Sequence, residues 1–160
     1  MTQLRTMSQS EYDLWLAESI AGYAKEKVAS GQWSRERSLQ LSRQEYAALL
    51  PRGLATPENH LFTITDDQGE PVGMLWYAVT TQFEKPVAYI YDVVVLDHRR
   101  REGHALADLQ LLEQEAQQRG LTGISLHVFG HNTGARALYE KLGYGPTSIS
   151  LFKPLGLLAT

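Results

Sequence analysis

The run Val93-Val94-Val95-Leu96-Asp97-His98-Arg99-Arg100-Arg101-Glu102-Gly103-His104-Ala105 joins a β-branched stretch to a basic, glycine-bearing turn that opens an amphipathic helix. A strand, turn and helix start in that order form a seat for phosphate. Exposed backbone N–H groups and the helix dipole, about half a positive charge, favour an anion. Gly103 and Ala105 let a ligand approach the main chain closely. A phosphorylated cofactor is therefore expected, although the same residues alone also describe a solvated loop capping a helix.

A second motif lies downstream. Asn132-Thr133-Gly134-Ala135-Arg136-Ala137-Leu138-Tyr139-Glu140-Lys141-Leu142-Gly143-Tyr144 follows the strand-like Ile124 to Phe129. It resembles the Asn-x-x-Ala-x-x-Leu-Tyr-x-Lys-x-Gly-Phe/Tyr helix of the GNAT N-acetyltransferases. Arg100-Arg101-Glu102-Gly103-His104-Ala105 resembles that family's Arg/Gln-x-x-Gly-x-Gly/Ala turn. The likeness covers roughly residues 60 to 153 well and the first 59 loosely. The segment Leu50 to His60 also looks like one in a small group of uncharacterised bacterial acetyltransferases.

This resemblance implies acetyl-CoA as cosubstrate. Its pyrophosphate would sit on the backbone of Arg101 to Ala105, with Arg100 adding charge, and main-chain groups of Val93, Val94 and Val95 would pair with the pantetheine arm like an added strand. His104 stands where the family usually has an aliphatic residue, which admits a pH-dependent contact. Asn132 would cap its helix and touch the coenzyme arm, near Ala135. Tyr139 would donate a proton or hydrogen bond to the departing sulfur, against the alternative of a core tyrosine beside Leu138 and Leu142.

The base is less sharply marked. Asp92 alternates with Ile90 and Val94, which places a carboxylate on an apolar strand face. Burial there would raise its pKa and let it accept a proton through water, whereas backbone or Arg partners would pin it instead. His127, between Leu126 and Val128, is the competing base, because a free imidazole titrates near pH 6.5. For the acceptor pocket the candidates are His60, Trp33, Trp76 and Tyr77, with Glu84 to attract a cationic amine; aromatic residues at such positions more often pack than recognise.

Composition narrows the classes. At 160 residues the chain is expected to form one domain over residues 1–160. The absence of Cys excludes disulfides, thiolate metal sites and a cysteinyl-acyl intermediate, and suits a reducing cytoplasm. A polar N-terminus and the lack of any stretch near 20 apolar residues argue against a signal peptide or membrane partner. Eighteen acidic against fifteen basic residues give a net charge of −3, so one short basic turn argues for a small polyanion and against nucleic acid. The five His show no helical metal spacing, and no metal is expected.

These residues require positioning elements. Ser8-x-x-Glu11 predicts a capped helix from about Glu11 to Ser30 with Tyr12, Leu16, Ile20 and Tyr23 inward. After a linker from Gln32 to Leu41, Ser42-x-x-Glu45 predicts a short second helix ending at Pro51, and residues 51–57 an ordered loop. Strands follow at Leu61 to Thr65, Val72 to Thr80 and Val87 to Val95, then helix Ala105 to Arg119 with Leu106, Leu109, Leu112 and Ala116 inward, strand Ile124 to Phe129, helix Thr133 to Lys141, and a closing strand near Ser148 to Phe152. The order α-α-β-β-β-α-β-α-β is α+β, with a mixed, mostly antiparallel sheet flanked by helices. It is also the order that the resemblance implies. The function so implied is acetyl transfer from acetyl-CoA to a primary amine of a small molecule or peptide, by direct attack in a ternary complex. The alternative is a catalytically silent acyl-CoA-binding module. A homodimer is common among such relatives, and Leu155 to Leu158 suits either an interface or the end of a core.

Overall fold

The computed structural model describes residues 2–96 and 104–156, with nothing stated of the His104 side chain. It falls into two compact units, Met1–His127 and Val128–Thr160. The first contains β1 (Gln3–Thr6), α1 (Gln9–Ala29), α2 (Arg35–Leu49), a 3-10 turn (Gly53–Ala55), β2 (Asn59–Thr65), β3 (Pro71–Gln82), β4 (Lys85–Val95), α3 (His104–Gln118) and β5 (Ile124–Ser125). The second contains α4 (Thr133–Lys141). The five strands lie in sequence order, antiparallel through β4 and parallel between β4 and β5. This is the expected α+β class with a mixed, mostly antiparallel sheet.

The ends of the chain depart from the sequence reading. β1 pairs with β2 from Gln3↔Thr65 to Thr6↔Phe62, although Gln-Leu-Arg-Thr is too polar to be read as a strand. Edge strands tolerate such composition because one side faces water. Residues 148–152, expected to close the sheet, form no strand, and Ile149, Leu151 and Phe152 are exposed. β5 is also cut to two residues.

α1 begins as expected. The Ser8 side chain accepts from Glu11 N, Ser8 N donates to Glu11 Oε1 at 2.9 Å, and Arg5 grips the same carboxylate through both terminal nitrogens. Arg5 holds the Glu11 carboxyl down at about 2. α2, in contrast, starts a full two turns before Ser42, with Ser34 as its N-cap accepting from Arg37 N. Nothing between Arg35 and Leu49 breaks a helix, so the expected linker is largely helical. Ser42 is instead buried, donating to Ile20 O at 2.8 Å and pinning α2 onto α1.

Residues directly opposite in an antiparallel ladder share a face, so the register assigns the two sides of the sheet. Leu61, Met74, Trp76 and Val94 face a core that includes Tyr12 and Trp15 of α1, Leu50, and Tyr46 of α2. On the other side, Tyr77 donates from its hydroxyl to Glu115 Oε1 of α3 at 3.1 Å, while Leu109, Leu112 and Ala116 are buried. Gly73 permits the tight approach of β4, because a Cβ there would collide with the Val94 carbonyl oxygen.

Two outcomes test this account. Gly73→Ala should lower stability by about 2 kcal/mol or more, measured by urea denaturation, since backbone must move to admit the methyl group. For Glu11→Gln, the loss relative to wild type should be about 1 kcal/mol, discounted for the exposure of Arg5. Because Glu11 is depressed on folding, that difference should be complete above its ordinary value of 4.5 and vanish as pH falls towards about 2, as thermal melts across pH would show.

Candidate active site

The β3–β4 register passes from Trp76↔Asp92 to Tyr77↔Ile90, leaving Tyr91 as an extra residue in β4. This bulge reverses a facing assigned from simple alternation. Asp92 lies opposite Trp76 and shares the helical face with Val94, but Ile90 lies opposite Tyr77 and points to the α3 side. The expectation that Asp92 shares a face with Ile90 is corrected, because the added residue shifts the phase of the strand.

Asp92 is half-buried where α1, α2 and β4 meet. Trp15 Nε1 donates to its Oδ2 at 3.1 Å. Burial pushes the Asp92 carboxyl above the usual carboxylate range; the Trp15 bond and the Val93 backbone N–H oppose this, and Glu26 adds to it. Its surroundings are aromatic. Tyr91 stacks on Trp76 at 4.5 Å, Trp15 meets Trp76 edge-on at 5.4 Å, and Tyr46 lies 6.3 Å from Trp76. Tyr46 is pushed up to about 12 by burial first and by Asp92 second. Trp76 is itself buried, and its indole donates to Asn59 Oδ1 at 2.9 Å. Trp15, Tyr46 and Tyr91 were not singled out from sequence. Trp15 falls beside Tyr12 on the inward stripe of α1, which was a usable signal, but the bulge that presents Tyr91 has no composition mark.

β4 runs on to Val95, while β5 pairs with it only at Ala88 and Tyr89. Val93, Val94 and Val95 therefore lie in the part of β4 that extends past its pairing with β5, bonded to β3 opposite Leu75, Met74 and Gly73. Arg100, Arg101, Glu102 and Gly103 lie outside the described residues. α3 opens at His104, and Ala105 sits half-buried in its first turn. In the second unit Asn132 caps α4, its Oδ1 accepting from Ala135 N at 3.2 Å. Tyr139 is half-buried against Tyr144, ring centres 5.4 Å apart, and burial raises its hydroxyl.

The remaining candidates are not gathered around Asp92. Tyr77 is fully buried on the opposite face of the sheet, with His60 packed on its ring at 5.0 Å; burial lowers the His60 imidazole. Trp33 packs on Tyr23, with Lys27 Nζ 5.5 Å from its ring. Glu84 is at the tip of the β3–β4 hairpin, six paired positions beyond Trp76, roughly 20 Å along the strands. His127, expected within a strand, is exposed two residues past the end of β5. Among the described residues, no three His, Asp or Glu side chains are grouped as a metal site would need, and no helix is long and apolar enough to cross a membrane.

The Trp15 bond has a measurable consequence. Trp15→Phe removes the donor that opposes burial, so the Asp92 titration, followed by carboxyl NMR, should move upward. Asp92→Asn keeps an oxygen for the indole and removes a charge the fold tolerates at a cost, so its melting temperature at neutral pH should equal or exceed wild type.

Comparison with known proteins places this architecture. Residues 20–144 match the model of the Acetyltransferase (GNAT) family. The chain is 38% identical over 152 residues to the uncharacterized N-acetyltransferase YycN of Bacillus subtilis, covering 95% of this chain and 97% of the relative. It is 33% identical to YdgE of the same organism over the same shares. The crystal structure of YycN superposes with a TM-score of 0.87 at 37% identity, covering 97% of this chain and 99% of that one. An aminoglycoside 6'-N-acetyltransferase from Acinetobacter baumannii, 19% identical with a TM-score of 0.60 and covering 98% of this chain and 99% of that one, shares the fold. The sheet order and these matches agree, and the chain belongs to the GNAT acetyltransferase family.

Proposed function

We propose that the protein, as one domain spanning residues 1–160, transfers the acetyl group of acetyl-CoA to a primary amine of a small molecule or peptide by direct attack in a ternary complex. The observation that carries this reading is Asp92, a half-buried carboxylate held by Trp15 at the bulge of β4 and immediately before Val93. Acetyl-CoA supplies an activated thioester. The residues that would hold it are Val93, Val94 and Val95 through their main chain, Arg100 to Ala105 at the start of α3, and Asn132 and Ala135 at the start of α4. The fit is supported by the length of β4 past β5 and by a helix that opens at His104, next in sequence to the basic run.

Asp92 acts as base. An incoming amine is mostly protonated at neutral pH and must shed a proton before its nitrogen attacks the carbonyl carbon. A carboxylate whose pKa is raised by burial narrows the gap to the ammonium and accepts that proton, directly or through water. His127 is the second choice of base, weakened by its exposed position beyond β5. As the carbon–sulfur bond breaks, the sulfur leaves as thiolate; Tyr139, kept protonated by its raised pKa, donates to it. No step calls for a metal. A cysteine-free chain suits a cytoplasmic setting.

The test measures thiol release from acetyl-CoA with a panel of amines, beside calorimetry of acetyl-CoA binding. Turnover with at least one amine is expected, and Tyr139→Phe should lower kcat at least about tenfold with coenzyme affinity unchanged. Binding without turnover on any amine would favour a silent acyl-CoA-binding module, and no heat on titration would overturn the coenzyme assignment altogether.

A further inference from the structure

The loop before β2 is tied to the Asp92 site by an unbroken series of contacts. The 3-10 turn closes on Thr56, whose hydroxyl donates to Gly53 O at 2.7 Å and accepts from Arg52 N at 3.0 Å. Asn59 N then donates to Thr56 O at 3.3 Å. Between these two residues Glu58 holds φ at 63°, a left-handed conformation that a side chain with a Cβ adopts at a cost, and its carbonyl accepts from Val79 N at 2.8 Å. The turn delivers Asn59 to the start of β2 opposite Ala78. That is two positions from the Leu61↔Trp76 pair, hence on the face covered by α1 and α2.

The Asn59 side chain is committed at both ends. Its Nδ2 donates to Pro57 O at 3.0 Å and its Oδ1 accepts from the Trp76 indole at 2.9 Å. Because a carbonyl can only accept, Pro57 fixes which end of the amide meets the indole; a flipped amide would set two donors against each other. Trp76 is buried, so its N–H has to keep an acceptor. Its ring carries two further contacts, Tyr91 stacked at 4.5 Å with planes 21° apart and Trp15 edge-on at 5.4 Å and 83°. Trp15 in turn donates to Asp92 Oδ2 at 3.1 Å. Any tilt of Trp76 in search of another acceptor therefore disturbs the indole that holds the carboxylate.

We infer that Asn59 is a positioning residue for Asp92: by locking the Trp76 ring it keeps the Trp15 N–H aimed at the carboxylate. Its bearing on acetyl transfer rests on the reading of Asp92 as base, whereas the alignment itself is independent of turnover. Glu26 of α1 and Tyr46 of α2 are the titratable groups that act with Asp92 from the helices, and Tyr91 adjoins it on β4. Asn59 carries no charge. A change at Asn59 that moves the Asp92 titration must therefore travel through geometry.

The experiment compares two variants of the full chain with wild type: Asn59→Leu, which fills the space without an acceptor, and Asn59→Ser, whose hydroxyl is too short to reach the indole. The second keeps a small polar side chain, so the result does not depend on the first variant folding. Carboxyl NMR should place the Asp92 titration about half a pH unit or more higher in both, and the Trp15 indole N–H resonance should shift. With an amine that turns over, the acid limb of kcat/KM against pH should move up by the same amount, because the base must be unprotonated. A purely structural loss would lower the whole profile without moving that limb. In a Trp76→Phe background, which has no indole N–H to orphan, Asn59→Leu should add nothing. An Asp92 titration that stays put or falls in either variant, or an equal effect of Asn59→Leu with and without the Trp76 indole, would overturn the inference. A raised titration with an unmoved acid limb would uphold the positioning and defeat the reading of Asp92 as base.

Discussion

One inserted residue in β4 governs the arrangement of everything around the site. Without Tyr91 as an extra position, strict alternation would carry Asp92 to the α3 side of the sheet if Ile90 kept its register. With it, the carboxylate and an aromatic ring emerge side by side on the face covered by α1 and α2. The cost of a broken ladder is local, whereas the gain is a charge delivered to a wall of indole and phenol rings. Trp15 then holds that charge in place, its indole N–H donating to Asp92 Oδ2.

The two faces of the sheet divide the labour. On the α3 side, the Tyr77 hydroxyl and Arg119 Nε both donate to Glu115 Oε1, which ties β3 to α3. On the helical side, Asp92 keeps a raised pKa because its partners only partly offset burial. This incomplete compensation distinguishes Asp92 from the paired groups on the other face.

Local signals in the sequence were strong where the residue at an element boundary had a single physical use. Asn132 and Gly143 frame α4, which runs from Thr133 to Lys141 as expected, because a side-chain cap and a left-handed glycine, φ 95°, leave little freedom at either end. Gly120, φ 75°, lies two residues past the end of α3 in the same way. The signal failed where one residue could serve two purposes. Ser42 with Glu45 has the pattern of a cap, yet Ser42 spends its hydroxyl on the Ile20 carbonyl, a contact 22 positions away that no window of sequence contains. The same holds for Tyr77 and His60, whose types suit a pocket and whose register puts them under α3. The basic run before α3 and the α4 motif carried the family likeness in the sequence, while the aromatic surroundings of Asp92 depended on pairing between strands and helices that are remote in the chain.

The β3–β4 hairpin reverses at Phe83 and Glu84, both with positive φ, 53° and 64°. Side chains with a Cβ adopt that region only at a cost of about 1 kcal/mol or more each, and neither Asn nor Gly is there to lower it. The reversal is thus enforced by the long ladder below it and does not seed that ladder. Apolar contacts reward pairing at Met74, Trp76 and Val94, whereas Phe83 and Glu84 at the tip hold positive φ at a cost. The neighbourhood of the bulge is thus also the ground on which the hairpin rests.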